Sequence, residues 1–241
     1  MGRMLSAIKS WFVPSGKQLL TIKFGVFKGL KMNLDLRSQT QVWLGLWERE
    51  VYPHLLAFTR RAKTGIDVGS ADGVYSLFFL SQPNINRVLA FDPSDSFPAS
   101  LSAGLAINGF GDDKRAMLIK KYVAAHEDHD HCTLDSLALE LEGPCVVKID
   151  VDGGEGVVLQ GANKLMHRHD VSWIIETHSV ELEQECVQIL ASNGLTTKII
   201  KNAWWRFFVP EGRPIPHNRW LVAWHDKNAA TVRTVERVAA V

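Results

Sequence analysis

Residues 64–80, TGIDVGSADGVYSLFFL, constrain the fold more than any other stretch of the chain. They open apolar and β-favouring at Ile66 and Val68, turn through Gly69 and Gly73, and continue in a helical pattern at Val74, Leu77 and Phe78. Such a switch in period describes a buried strand, a tight glycine turn and a helix. The turn sets free backbone N–H groups and a helix N-terminus beside the strand's carboxyl end, where open α/β sheets bind ligands. A nucleotide-like cofactor is therefore expected on Asp67, Gly69, Ser70, Ala71 and Gly73.

The glycine spacing narrows the cofactor. The turn reads D-x-G-x-x-x-G and lacks the G-x-G-x-x-G that lets a pyrophosphate approach the backbone. A carboxylate at Asp67 repels a pyrophosphate and suits an ammonium group. A second strand, residues 87–92, ends in another acid, Asp92, followed by Pro93. An acid there can accept both hydroxyls of a ribose. One carboxylate for an amino-acid ammonium and one for a ribose describe S-adenosylmethionine (SAM) better than NAD. An NAD(P)-dependent oxidoreductase is disfavoured further because no Tyr-x-x-x-Lys pair occurs.

From Thr64 onward strand and helix patterns alternate. Strands are expected at 115–124, 144–151 and 171–177, and helices at 94–108, 134–141, 155–167 and 180–192, the last stopped by Gly194. Residues 196–201 and 219–225 close the sheet as an antiparallel pair. The expectation is an α/β chain with a Rossmann-like, seven-stranded, mostly parallel sheet and helices on both faces. Residues 64–226 would form this SAM-binding domain, with a tail at 227–241. Residues 1–63 read as an extension that covers one end of the sheet and roofs the site. It would hold a hairpin at 21–36 turning at Gly29, and a helix at 41–61.

Composition limits the partners. A net charge of +1 leaves no basic field for polyanions, so a nucleic-acid partner is not expected. No apolar run approaches about 18 residues, so no integral membrane segment is expected. The amphipathic N-terminus reads as a packing helix and not as a signal peptide. Three widely spaced cysteines, Cys132, Cys145 and Cys186, suggest reduced thiols in a cytoplasmic protein. Self-association into a homo-oligomer is left open.

Three segments carry a family resemblance: TLDSL at 133–137, VKIDVDGGEGVVLQGA at 147–162 and IIETH at 174–178. They resemble the FkbM family of SAM-dependent methyltransferases, which has the class I methyltransferase fold and is mostly linked to O-methylation of sugars and natural products. The resemblance implies O-methylation of a small hydroxyl acceptor, sugar or polyketide-like. A SAM-binding module without catalysis is a rival reading. So is a methyltransferase acting on protein or nucleic acid, although the N/D-P-P-Y turn of base amino-methyltransferases is absent from DVDGG at 150–154.

Candidate chemistry gathers at the strand ends. Asp150 ends the fourth strand and could take a proton from an acceptor hydroxyl, orient it, or touch a metal. Glu176 and His178, two residues apart, can share one face and join Asp150 in an acid, acid, histidine cluster. That cluster suits proton transfer or a divalent cation, which is left open. Asp152 and Glu155 have capping-box spacing, with Glu155 also facing the cleft as an acceptor contact. AHEDHDHC at 125–132 reads as a solvated loop, with Asp130 or Cys132 capping the helix after it. In the loop at 202–218, Trp204 or Trp205 is expected to lid the acceptor, with its hydroxyls toward Arg206 or His217.

Overall fold

The computed structural model describes residues 16–138, 140–203, 206 and 217–226. The expected N-terminal packing helix, the tail at 227–241 and most of the 202–218 loop lie outside these residues. The described chain opens with β1 (Gln18–Thr21) and β2 (Lys31–Leu34), an antiparallel hairpin. Next come α1 (Leu36–Trp43), a single 3₁₀ turn at Arg49–Val51 and α2 (Tyr52–Thr59). The single helix expected at 41–61 is thus broken. Gly45 (φ 64°) and Glu48 (φ 53°) are left-handed, a conformation that a right-handed helix cannot continue through.

Alternation begins at β3 (Thr64–Val68) and runs through α3 (Val74–Ser81), β4 (Arg87–Phe91), α4 (Phe97–Ile107) and β5 (Ala116–Ile119). Two short strands, β6 (Tyr122–Val123) and β7 (His131–Cys132), pair only with each other among the described residues. Then follow β8 (Cys145–Ile149), α5 (Glu155–Gln160), α6 (Asn163–Met166), β9 (Val171–Thr177), α7 (Val180–Ser192), β10 (Thr196–Ile200) and β11 (Arg219–Trp224). The seven-stranded sheet has the order β10-β11-β9-β8-β3-β4-β5. β11 runs antiparallel to both β9 and β10, and the other pairings are parallel. The expected sheet, including its antiparallel closing pair, is what the chain forms.

Successive side chains on a strand point to opposite faces, and the core divides accordingly. Ile66, Val68, Val147, Ile149, Trp173 and Ile175 pack with α5, α6 and α7. Their neighbours Val146, Ile174 and Val222 face the other way, against α3, α4 and the N-terminal segment, including Phe27, Leu55 and Phe58. The N-terminal segment therefore covers a sheet face and shares a continuous core with it.

Three further expectations are corrected. The strand expected at 115–124 stops at Ile119, where a turn bond from the Lys121 N–H to the Ile119 carbonyl bends the chain, and Tyr122–Val123 pairs with β7 instead. No helix forms over the described part of 134–141. Leu137, Ala138 and Glu140 instead make turn-type bonds to residues three back. Asp135 spends its carboxylate on the Lys164 and Leu165 N–H groups of α6. Finally, the helix expected at 155–167 breaks at Gly161, where a Cβ would stand 1.9 Å from the Ala124 carbonyl oxygen.

Leu55 on α2 is fully buried within the shared core. Leu55→Ala is expected to lower stability by about 2–5 kcal/mol. In urea unfolding followed by circular dichroism the loss should appear as one shifted transition. A separate early transition for the N-terminal segment would contradict the shared core.

Candidate active site

Chain direction opens the site. β3 and β8 are neighbours at the sheet's centre; from β3 the chain proceeds to β4 and β5 on one side, and from β8 to β9 on the other. In open α/β sheets such a reversal leaves a crevice at the strands' carboxyl ends.

The glycine turn forms one wall. Gly69 has φ 74°, and a Cβ there would stand 1.7 Å from the Asp150 carbonyl oxygen. No side chain fits, so the turn lies directly on the end of β8. The N–H groups of Gly69 and Ser70 both donate to the Phe91 carbonyl at 2.9 Å. Ala71, left-handed at φ 46°, donates its N–H to Asp92 Oδ2 at 3.0 Å. Asp92 Oδ1 accepts from the Ser94 N–H at 2.9 Å, across the intervening Pro93. Each Asp92 oxygen thus takes one backbone donor and keeps acceptor capacity. A ribose diol supplies matching donors, so the expected place of Asp92 in a SAM site fits its surroundings.

Asp67 does not fit its expected place. Its side chain is fully buried, and Oδ2 accepts from the Ser76 Oγ at 2.7 Å and from the Ser70 Oγ and Ser76 N–H at 3.0 Å. A carboxylate enclosed and engaged this way ties the turn to the start of α3 and has no face for a ligand's ammonium. Ser70 is correspondingly turned inward, bonding Asp67 and Ser76. Gly73 (φ 80°) is held by close packing, since a Cβ would meet Leu101 Cδ1 at 2.3 Å.

Lys148, which the sequence reading passed over, is the cation at the centre. It lies almost fully buried on β8. Its Nζ donates to the Gly69 carbonyl at 2.8 Å. It also lies 3.3 Å from Asp67 Oδ1 and 3.6 Å from Asp150 Oδ2. The Tyr75 ring covers it, with the centroid 5.1 Å from Nζ. Burial works against the ammonium charge, but Asp67, Asp150 and Glu48 raise its pKa above the ordinary lysine value. Glu48, from the N-terminal segment, accepts the Tyr75 hydroxyl at 2.5 Å. Burial and that carboxylate hold the phenol well above its usual pKa. The signal in the sequence was a lone lysine inside the apolar run PCVVKIDV.

Asp150, Glu176 and His178 do come together: each offers one ligand-type atom, all within 4.8 Å of one another. Glu176 and His178 are buried, and Asp150 is half-buried. His178 Nδ1 bonds the Glu155 carboxylate closely. Its Nε2 lies 3.5 Å from Asp150 Oδ1 and 3.4 Å from Asp152 Oδ1. Burial opposes an imidazolium, but Glu155, then Asp150 and Asp152, raise the His178 pKa above the ordinary histidine value.

Two expectations at this edge are corrected. Asp152 is left-handed at φ 42°, and the residue capping α5 is Gly154, without a side-chain cap bond. Asp152 instead leaves its side chain 87% exposed beside His178. Glu155 is fully buried, accepts the Gly153 N–H at 3.2 Å, and sits behind the imidazole. It can reach an acceptor only through His178.

Elsewhere, Arg206 pairs with Glu50 of the N-terminal segment at 2.5 Å, while Trp204 and Trp205 lie outside the described residues. The 125–132 stretch is largely exposed, as expected of a solvated loop. No helix follows it for Asp130 or Cys132 to cap; Cys132 lies on β7 and Asp130 accepts the Tyr122 N–H through its carbonyl.

Removing one partner of a buried ion pair leaves the other charge without compensation, at a cost of about 3–5 kcal/mol. Lys148→Met is expected to lose about that much, read as a lower urea midpoint by circular dichroism. A loss within about 1 kcal/mol, the size of a surface ion pair, would mean that the ammonium does not hold Asp67 in place.

The strand order, the reversed β11 and the crevice at the carboxyl ends define the class I methyltransferase fold. Solved structures agree. The methyltransferase FkbM from Methylobacillus flagellatus KT superposes with a TM-score of 0.54 at 16% identity, covering 68% of this chain and 44% of that one. This chain thus spans less than half the length of that protein. Precorrin-6y C5,15-methyltransferase from Geobacter metallireducens GS-15 gives 0.51 at 14% identity, over 74% and 89% of the two chains. An rRNA methylase from Streptococcus thermophilus gives 0.50 at 13%, over 73% and 96%. At such identities the likeness establishes the fold. No protein-family model matches the chain, and no curated protein matches it in sequence. No helix among the described residues is long and apolar enough to cross a membrane.

Proposed function

We propose that this chain is a SAM-dependent O-methyltransferase of the FkbM type, acting on a hydroxyl of a small molecule such as a sugar or natural product. One observation carries the reading. The ribose-type acceptor Asp92 and its glycine turn stand on one side of the end of β3, and an acid and histidine cluster on β8 and β9 stands on the other, with Lys148 between them. When bound, SAM supplies an electrophilic methyl group on a sulfonium.

The chain's own part is to hold and to deprotonate. Asp92 would accept the ribose hydroxyls, and the Gly69–Gly73 turn would lie against the cofactor. Asp150 stands at the strand end, where its carboxylate would orient the acceptor hydroxyl and take its proton. His178, its pKa raised among carboxylates, favours the protonated form and so is the weaker candidate for base. Lys148 keeps Asp150 and the glycine turn in fixed relation. In-line positioning of this kind is worth on the order of 7–11 kcal/mol in well-oriented systems. A hydroxyl acceptor is favoured over a nucleic acid by the near-zero net charge.

Thermal shift with S-adenosylhomocysteine tests the cofactor. At about 100 times its dissociation constant the ligand should add about 2.7 kcal/mol of stability, and Asp92→Ala should weaken its binding. An unshifted melting curve removes the SAM site. Against a panel of hydroxyl acceptors, Asp150→Asn should cut kcat by about 10²–10⁴-fold, the usual range for a general base, with S-adenosylhomocysteine affinity unchanged. Wild-type turnover in that variant takes Asp150 out of the mechanism.

A further inference from the structure

We propose that the outer face of the β1–β2 hairpin, with the connection between its strands, docks on an anionic lipid bilayer. The docking does not depend on the methyl-transfer reading.

Charge is unevenly shared along the chain. Residues 1–37 hold seven lysines and arginines against one acid, Asp35, whereas residues 38–241 hold 20 against 25 acids. The net charge of +1 thus combines a strongly basic N-terminal stretch with an acidic remainder. An asymmetry of this kind points to a negatively charged partner for the basic part.

Folding divides the hairpin into two faces. Ile22, Phe27, Leu30, Met32 and Leu34 turn into the shared core. Side chains alternate along a strand, so the paired residues Leu19 with Asn33 and Thr21 with Lys31 turn outward, and all four are exposed. The connection between the strands adds exposed Lys23, Phe24 and Lys28. Among the described residues no carboxylate pairs with the Lys23, Lys28 or Lys31 ammonium groups. Phe24 is 62% exposed and Leu19 54%. An exposed apolar side chain is ordinary when it stands singly. Here an aromatic and an aliphatic one share a hairpin with three unpaired ammonium groups.

That mixture fits a bilayer surface. Binding there grows with the apolar area buried at the headgroup–acyl boundary and with attraction to anionic lipids. Phe24 and Leu19 supply the first, and the lysines supply the second while their stems lie along the boundary. A nucleic acid would use the lysines but has no place for Leu19, which cannot stack on a base. The hairpin is also held as a platform: Asn108 of α4 accepts the Lys31 N–H and donates to the Lys31 carbonyl, each at 2.8 Å. Lys17, just before β1, lies 4.0 Å from Asp72 in the glycine turn. The docking face therefore adjoins the crevice.

Vesicle sedimentation with the full chain tests this. The chain is expected to pellet at low salt with vesicles of phosphatidylcholine mixed with phosphatidylserine, and to stay in solution with phosphatidylcholine alone. Added salt should release it, because screening weakens attraction between exposed charges. One lysine near an anionic surface changes partitioning about fivefold. Lys23→Gln, Lys28→Gln and Lys31→Gln combined should therefore weaken binding about a hundredfold. Phe24→Ser should weaken it about tenfold at unchanged charge. Lys114→Gln with Lys164→Gln, exposed lysines on other parts of the chain, is the control and should bind as the native chain does. Circular dichroism checks folding, and should Phe24→Ser not fold, the triple lysine variant decides. The proposal is overturned if the native chain stays in solution with the mixed vesicles, if the triple variant still pellets with them, or if the control loses as much binding. An oligonucleotide that binds more tightly than the vesicles through the same three lysines also overturns it and gives the surface to nucleic acid. Thermal shift with S-adenosylhomocysteine keeps the two ideas apart. Vesicle binding without a shift sinks the SAM reading alone, and a shift without vesicle binding sinks the docking alone.

Discussion

One buried ammonium organises the carboxyl edge of the sheet. Lys148 Nζ holds the Gly69 carbonyl and faces Asp67 and Asp150. It therefore joins the glycine turn after β3, the end of β8 and the start of α3 at a single point. Transferring such a charge from water is costly unless partners surround it, and the chain surrounds it with carboxylates from separate elements plus an aromatic face. Glu48 belongs to this group only because the N-terminal segment bends through left-handed residues to bring it there. The segment that looked like an optional cover is thus part of the electrostatics of the crevice.

Most of the architecture was legible from periodicity. The alternation after Thr64, the apolar β8 and the antiparallel closing strands follow from two-residue and 3.6-residue patterns, which burial enforces. What was not legible depended on chain segments meeting from afar. At the break at Gly161 the Ala124 carbonyl comes too close for any side chain, and at the Gly45 break the Phe24 backbone does. Neither neighbour is close in sequence. Helix propensity alone cannot anticipate a contact of that kind.

The same division applies to the site. That Asp150, Glu176 and His178 come together was legible, because acids and histidines at strand ends have positions that sequence spacing reveals. Asp67, Asp152 and Glu155 were misassigned because their roles turn on which way a short side chain faces. Ser70 and Ser76 close over Asp67, and a left-handed Asp152 swings away from the helix it could have capped. Lys148 escaped notice for a different reason: a charged residue within an apolar strand reads as an interruption until its counter-charges are located.

The position of β11 bears on how the molecule comes into being. It is the last strand among the described residues, yet it lies inside the sheet between β9 and β10. Before Arg219–Trp224 emerges from the ribosome, β10 has no partner in the sheet and β9 shows an open edge. Pairings across long sequence separations form slowly, and unpaired edges invite association with other chains. The nascent chain must therefore carry an unfinished sheet until Arg219–Trp224 has been made and has slotted between β9 and β10.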